Sequence, residues 1–189
     1  MRKKVLSILF GIIAISISSY GQNQANVDPN QWTEWTVDPY HSSLNFTIKH
    51  SGISMVNGKF TDYTGKLLTR TGKSIDENLE SAQFDFTIQA NSINTNVEPR
   101  DNHLRSADFF EVETYPTLSF KSTKIIKSGK PDHYILHGKL TIKDVTKDVI
   151  LDLYHGGTVE SDDGNKIGFK AKTVINRFDY NVKIGRAHV

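Results

Sequence analysis

The chain has 189 residues, with 23 basic and 21 acidic side chains, a formal net charge of +2 and no cysteine. The absent cysteines exclude a disulfide framework, a cysteine metal cluster and a lipid-anchoring thiol, and the even charge spread offers nucleic acid no basic stripe. One domain with a sizeable core is the expected size class.

Arg2, Lys3 and Lys4 precede an apolar run from Val5 to Ile17. That run, about 13 residues, falls short of the ~20 needed to span a bilayer as a helix. Ser19 and Gly21 supply small residues three positions and one position before Gln22. Residues 1–21 therefore read as a secretory signal peptide cut after Gly21. The expected product is periplasmic or secreted, with no transmembrane segment left and a formal charge of −1 once the three leader cations are gone. Residues 22–31 read as a polar, disordered tether, and residues 32–183 as the domain.

Short β segments follow in succession. Trp35 to Val37 leads into the turn signal Asp38-Pro39. Leu44, Phe46 and Ile48 then alternate with polar residues in strict period two, the mark of a half-buried strand. Gly58 to Tyr63 and Gly65 to Thr69 read as a strand pair around Thr64-Gly65, with Thr71-Gly72 closing it. Ala82, Phe84, Phe86, Ile88 and Ala90 alternate again.

From Arg100 to Phe120 the period changes. Pro99 suits the first turn of a helix, with Glu98 or Asn96 near the cap, and helix-compatible residues run to Leu104 and Arg105. Phe109 and Phe110 sit side by side in a charged loop, and Tyr115-Pro116 enforces extended backbone before the next strand. This is either a lid on a sheet-built container or a long connection whose two Phe seal the core.

Leu118 and Phe120 open a strand to about Ile126, turned by Ser128 to Pro131. Tyr134, Leu136, Gly138, Leu140 and Ile142 share a face, and Lys143 to Thr146 turns the chain. Val149, Leu151 and Leu153 follow. After a hairpin bracketed by Gly156-Gly157 and Asp162 to Asn165 come Ile167, Phe169, Ala171 and Ile175. Six or seven alternating strands with short turns argue an all-β antiparallel sandwich or barrel. The last six residues, Ile184 to Val189, are what one frame of a common sequencing-adapter string encodes. Residues 184–189 are thus expected to be a non-native tail standing where a closing strand belongs. A missing strand leaves two unpaired edges and keeps a homodimer open.

The ordered motifs resemble the YceI-like family of polyisoprenoid-binding, lipocalin-like periplasmic proteins. They are Trp35-x-Val-Asp-x-x-His-Ser42, Phe46-x-Ile-Lys-His50, Gly58-x-Phe60, Arg100-Asp-x-His-Leu-Arg-Ser106, Tyr115-Pro-x-Leu-x-Phe120, Gly138-Lys-Leu-Thr-Ile142, Asp144-Val-Thr-Lys147 and Asn176-Arg-x-Asp-Tyr180. Asp144 and Asn181 stand where the family often has Gly; both residue types tolerate positive φ. The resemblance implies a lipocalin-like β-barrel of about eight strands, the last missing here, with a short helical lid. It implies an elongated apolar interior holding a long isoprenoid lipid or quinone tail.

The expected lining is Leu44, Phe46 and Ile48; Phe84, Phe86 and Ile88; Phe109 and Phe110; Leu118 and Phe120; and Leu136, Leu140, Leu151 and Phe169. The same residues suit a filled core, because alternation reports which side is inside and not whether it is empty. Arg100, His103 and Arg105 are candidates for a polar or anionic head group, which Arg grips with paired hydrogen bonds. Alternatively, Arg100 and Asp101 fix the lid to loop backbone. His41, His50 and His103 have no metal-ligand spacing in sequence, and no nucleophile elbow follows Ser42 or Ser43. No catalytic residue, metal or cofactor other than a bound isoprenoid is expected, and no enzymatic turnover; the alternative role is an accessory module with a filled core.

Overall fold

The structure is a computed structural model that describes residues 6–16, 31–51, 53–72, 74–160 and 164–182. Eleven strands form one antiparallel sheet. They are β1 (Leu6–Ser16), β2 (Trp32–Val37), β3 (Leu44–His50), β4 (Ser54–Phe60), β5 (Tyr63–Arg70), β6 (Gln83–Gln89), β7 (Ile93–Asn94), β8 (Thr117–Lys127), β9 (His133–Ile142), β10 (Val145–Val159) and β11 (Lys166–Ile175). Two short helices interrupt them, α1 (Ile75–Asn78) and α2 (Glu98–Arg105). The order runs β11-β10-β9-β8-β6-β5-β2-β1, and β1 pairs with β11 as well, so the sheet curls back on itself as a barrel. Strands β3, β4 and β7 extend it at one end, over which α2 lies.

The alternation read from sequence is what the barrel wall uses. Along β6, Phe84, Phe86 and Ile88 are buried while Gln83 and Asp85 are exposed. Along β9, Tyr134, Leu136, Leu140 and Ile142 point inward. In β8 a bulge between Ser122 and Lys124 shifts the parity, so Leu118 and Phe120 are followed inside by Ile125.

The strand pair expected around Thr64-Gly65 is not there. Strand β4 pairs with β3 and β7, whereas β5 pairs with β2 and β6, and the chain bends between them at Thr61-Asp62. Gly65 lies inside β5 because the ring of Phe86 rests on it, where any Cβ would clash. The rings of Phe46 and Phe120 cover Gly58 and Gly138 in the same manner. In the β9–β10 turn the left-handed residue is Lys143 (φ 55°), not Asp144; Asn181 does adopt positive φ (57°) after the last helical turn. Strand β7, helix α1 and the start of β2 at Trp32 carry too few alternating residues to have been read from sequence.

Part of the expected leader stands in the sheet. Strand β1 pairs with β11 from Leu6↔Ile175 to Ser16↔Lys166 and with β3 from Leu6↔Ile48 to Phe10↔Leu44. It fills the seam where an absent closing strand was expected to leave two edges. Residues 1–5, most of the expected tether and the tail 184–189 lie outside the described residues.

Candidate functional site

Helix α2 forms where the sequence places it. Pro99 occupies its first turn, Glu98 and Asp101 sit at its N-terminal end, and His103 and Arg105 at its C-terminal end, each charge matched to the helix dipole. What fixes it to the barrel is a buried carboxylate. Asp101 is 2% exposed, and its Oδ1 accepts from the Thr95 amide (2.9 Å) and the Thr95 hydroxyl (2.5 Å). Arg100 donates Nε to the same hydroxyl (2.7 Å) and Nη2 to the Thr95 carbonyl (3.0 Å).

The far end of α2 is held as firmly. Arg105 donates Nε to the Asn91 carbonyl (2.8 Å) and Nη2 to the Ile93 carbonyl (3.0 Å). Beyond it, Lys143 reaches Glu111 at 3.0 Å, and its hydrogen bond with that of Thr114 holds the Glu111 carboxyl below the usual range. His103 meets Asp108 at 3.0 Å and stands edge-on to Phe109, ring centres 5.0 Å apart.

Beneath the helix lies a cavity of about 320 Å³. Strands β3 and β4 give it Phe46, Ile48, Val56 and Phe60; the lid gives Leu104, Phe109 and Phe110; Ile93, Leu118, Ile142 and Val182 complete the apolar wall. Polar side chains gather among the rest of its lining: Lys49, His50, Arg100, His103 and Arg177, with no Asp or Glu. A hydrocarbon fits the wall and an anion suits the polar side.

Of the residues expected to line a ligand site, Phe46, Ile48, Phe109, Phe110 and Leu118 do so, and Arg100 and His103 join them. Leu44, Phe84, Phe86, Ile88, Phe120, Leu136, Leu140, Leu151 and Phe169 are buried but outside the cavity, in a packed core. There Phe84 and Phe169 meet edge to face with centres 5.3 Å apart. Arg105 is likewise outside the cavity, with Nε and Nη2 committed to backbone and Nη1 to the side chains of Asn102 and Glu98. The hollow is therefore short and lies at the lid end, where an elongated interior was expected. Of the three candidate histidines, His50 and His103 share the cavity, whereas His41 pairs with Asp38 at 2.7 Å. Among the described residues no group of three His, Cys, Asp or Glu is placed to hold a metal.

Arg177, which the sequence offers only as part of the Asn176–Tyr180 motif and not as a site residue, joins this lining. It is 3% exposed in the helical turn after β11, and burial lowers its affinity for a proton. Its neighbour Tyr180 is also buried, and that burial, with Asp179 beside it, pushes the phenol up to about 12, so it stays neutral. At the opposite end, beyond the start of β9, a second hollow of about 530 Å³ is bordered by Trp35, Thr69, Asp132, His155 and Glu160. Its mixed polar wall suits water better than a hydrocarbon.

Residues 35–189 match the YceI-like domain. A UPF0312 protein of Pectobacterium atrosepticum is 39% identical over 144 residues, covering 75% of this chain and 71% of its own. Protein YceI of Escherichia coli O157:H7 is 33% identical over 186 residues, covering 97% of this chain and 88% of its own. The crystal structure of the Campylobacter jejuni YceI protein superposes with a TM-score of 0.60 at 36% identity, over 77% of this chain and 82% of that one.

Proposed function

The chain belongs to the YceI-like family, and on that premise we propose that it is an exported binding protein for an isoprenoid lipid, of polyprenyl or isoprenoid-quinone type, without enzymatic turnover. The observation that carries the reading is the apolar cavity under α2, whose polar side chains leave an amphiphile a place for each of its ends. Its volume lies at the low end of the roughly 300–1,000 Å³ common for small-molecule sites. Each buried CH₂ contributes about 0.8 kcal/mol, so a few prenyl units offset the several kcal/mol lost on association. Export through the leader, with cleavage after Gly21, belongs to the same proposal.

The ring of Phe46 sets the depth. It both walls the cavity and lies on Gly58. Phe46→Leu is expected to deepen the hollow and shift bound ligands toward longer tails. It removes three carbons, a loss of about 2 kcal/mol at roughly 0.8 kcal/mol each. Mass spectrometry of the bound lipids and a urea titration read the two effects.

The packed rings below the cavity favour a second reading, an accessory module that holds no lipid. Mass spectrometry of solvent extracts from the purified protein separates the two. A prenyl lipid near one per chain supports the first, and clean extracts from a host rich in isoprenoids overturn it.

A further inference from the structure

Arg177 brings a charge into the cavity wall without an acceptor for it. Its Nε is fully buried and has no hydrogen-bond partner, and among the described residues no carboxylate pairs with its guanidinium. Two aromatic rings lie near the guanidinium instead. Its Cζ lies 4.7 Å from the ring centre of Phe178 and 5.7 Å from that of Phe109. Ring faces attract a guanidinium without accepting its N–H hydrogen bonds, so the Nε–H remains unspent.

A buried cation lacking an acceptor is strongly disfavoured, so its place in a folded core asks for a counter-charge from outside the chain. The other basic side chains of the lining are less suited. Arg100 has given Nε and Nη2 to Thr95, His103 is paired with Asp108, and Lys49 and His50 are exposed to solvent, where water screens a head group.

We propose that Arg177 is the head-group contact of this cavity, its free N–H edge gripping an oxyanion carried at the end of an apolar chain. The inference rests on the lipid-binding reading and adds the charge of the ligand to it. Phosphate and carboxylate share the required chemistry, with two acceptor oxygens matching the fork. A neutral alcohol head supplies one weak acceptor and leaves the charge uncompensated.

Isothermal titration of the wild-type chain with farnesyl phosphate, farnesol, a fatty acid of similar length and inorganic phosphate tests this. Farnesyl phosphate is expected to bind about tenfold or more tightly than farnesol, the ratio a charge-assisted pair supplies. The fatty acid should fall between them, and inorganic phosphate should bind far more weakly because it buries no chain. In Arg177→Met, farnesyl phosphate should weaken to the level of farnesol while farnesol is unchanged or tighter.

Equal wild-type affinities for the phosphate and the alcohol would overturn the role of Arg177 and leave the lipid reading standing. A preference that survives in Arg177→Met moves the contact to another basic side chain of the lining and also overturns it. If neither lipid binds, both readings fail together. Should Arg177→Met not fold, Arg177→Lys replaces it, keeping the charge and losing the planar fork. A reduced preference then supports the proposal, and an unchanged one overturns it.

Discussion

Asp101→Ala is expected to destabilise the protein by about 2–4 kcal/mol and to abolish ligand retention together with it. The carboxylate is buried and is the acceptor for both the amide and the hydroxyl of Thr95. Alanine fills neither role, and a buried donor left without an acceptor costs about 1–3 kcal/mol. The loss reaches further, because the Thr95 hydroxyl that Asp101 orients is also the acceptor for Arg100. With it goes the registry of α2 over the cavity. Asp101→Asn keeps one acceptor oxygen and should recover part of the stability. Chemical denaturation, with lipid content measured on the same samples, checks both effects. An alanine variant as stable as wild type would show that the lid is held by its apolar contacts alone.

A chain beginning at residue 22 should lose its monomeric, cooperatively melting form. Strand β1 pairs with β11 along nearly its whole length and, over its own first half, with β3 on its other side. Taking it away exposes two long ladders of unpaired N–H and C=O groups, the condition under which strands from separate chains join. Light scattering should show dimers or larger species, and thermal melts should broaden and move down. Adding a peptide of residues 6–16 should reverse part of the change. A monodisperse truncated chain with an unaltered melt would show that β1 contributes nothing to the seam. The expected leader cleavage would produce this same chain, so the measurement also reads how a cleaved form closes its seam without β1.

Much of the barrel was legible because one face of each strand is buried and the other wet. The letters of β6 and β9 alternate for that reason alone. The lid was legible through its punctuation, with Pro99 at the start and Tyr115-Pro116 at the finish. Gly65 misled because glycine carries no record of why it is there: a turn and a resting place for the Phe86 ring have the same letter. The pairing of β1 was not legible, since an apolar run fits a signal segment and a sheet strand alike. The extent of the hollow was not legible either. Phe84 and Phe169 are inward-facing whether they touch each other or a ligand, and only their 5.3 Å separation decides. Arg177 was visible as a motif letter, but not as a cavity residue, because its burial follows from tertiary placement after β11, which no local pattern encodes.

The lid is anchored by Asp101 and Arg100 at one margin, by Arg105 at the other, and by Lys143 through Glu111 further along. So fastened, it is a poor door. Facing it across the cavity is the β3–β4 tip, where Ser51 is exposed at φ 51°, Ile53 is 90% exposed and Met55 57% exposed. The side chains of Ile53 and Met55 point to solvent there. For a ligand of the proposed kind, the flank beside these exposed side chains is the approach to the cavity that leaves the anchored helix undisturbed.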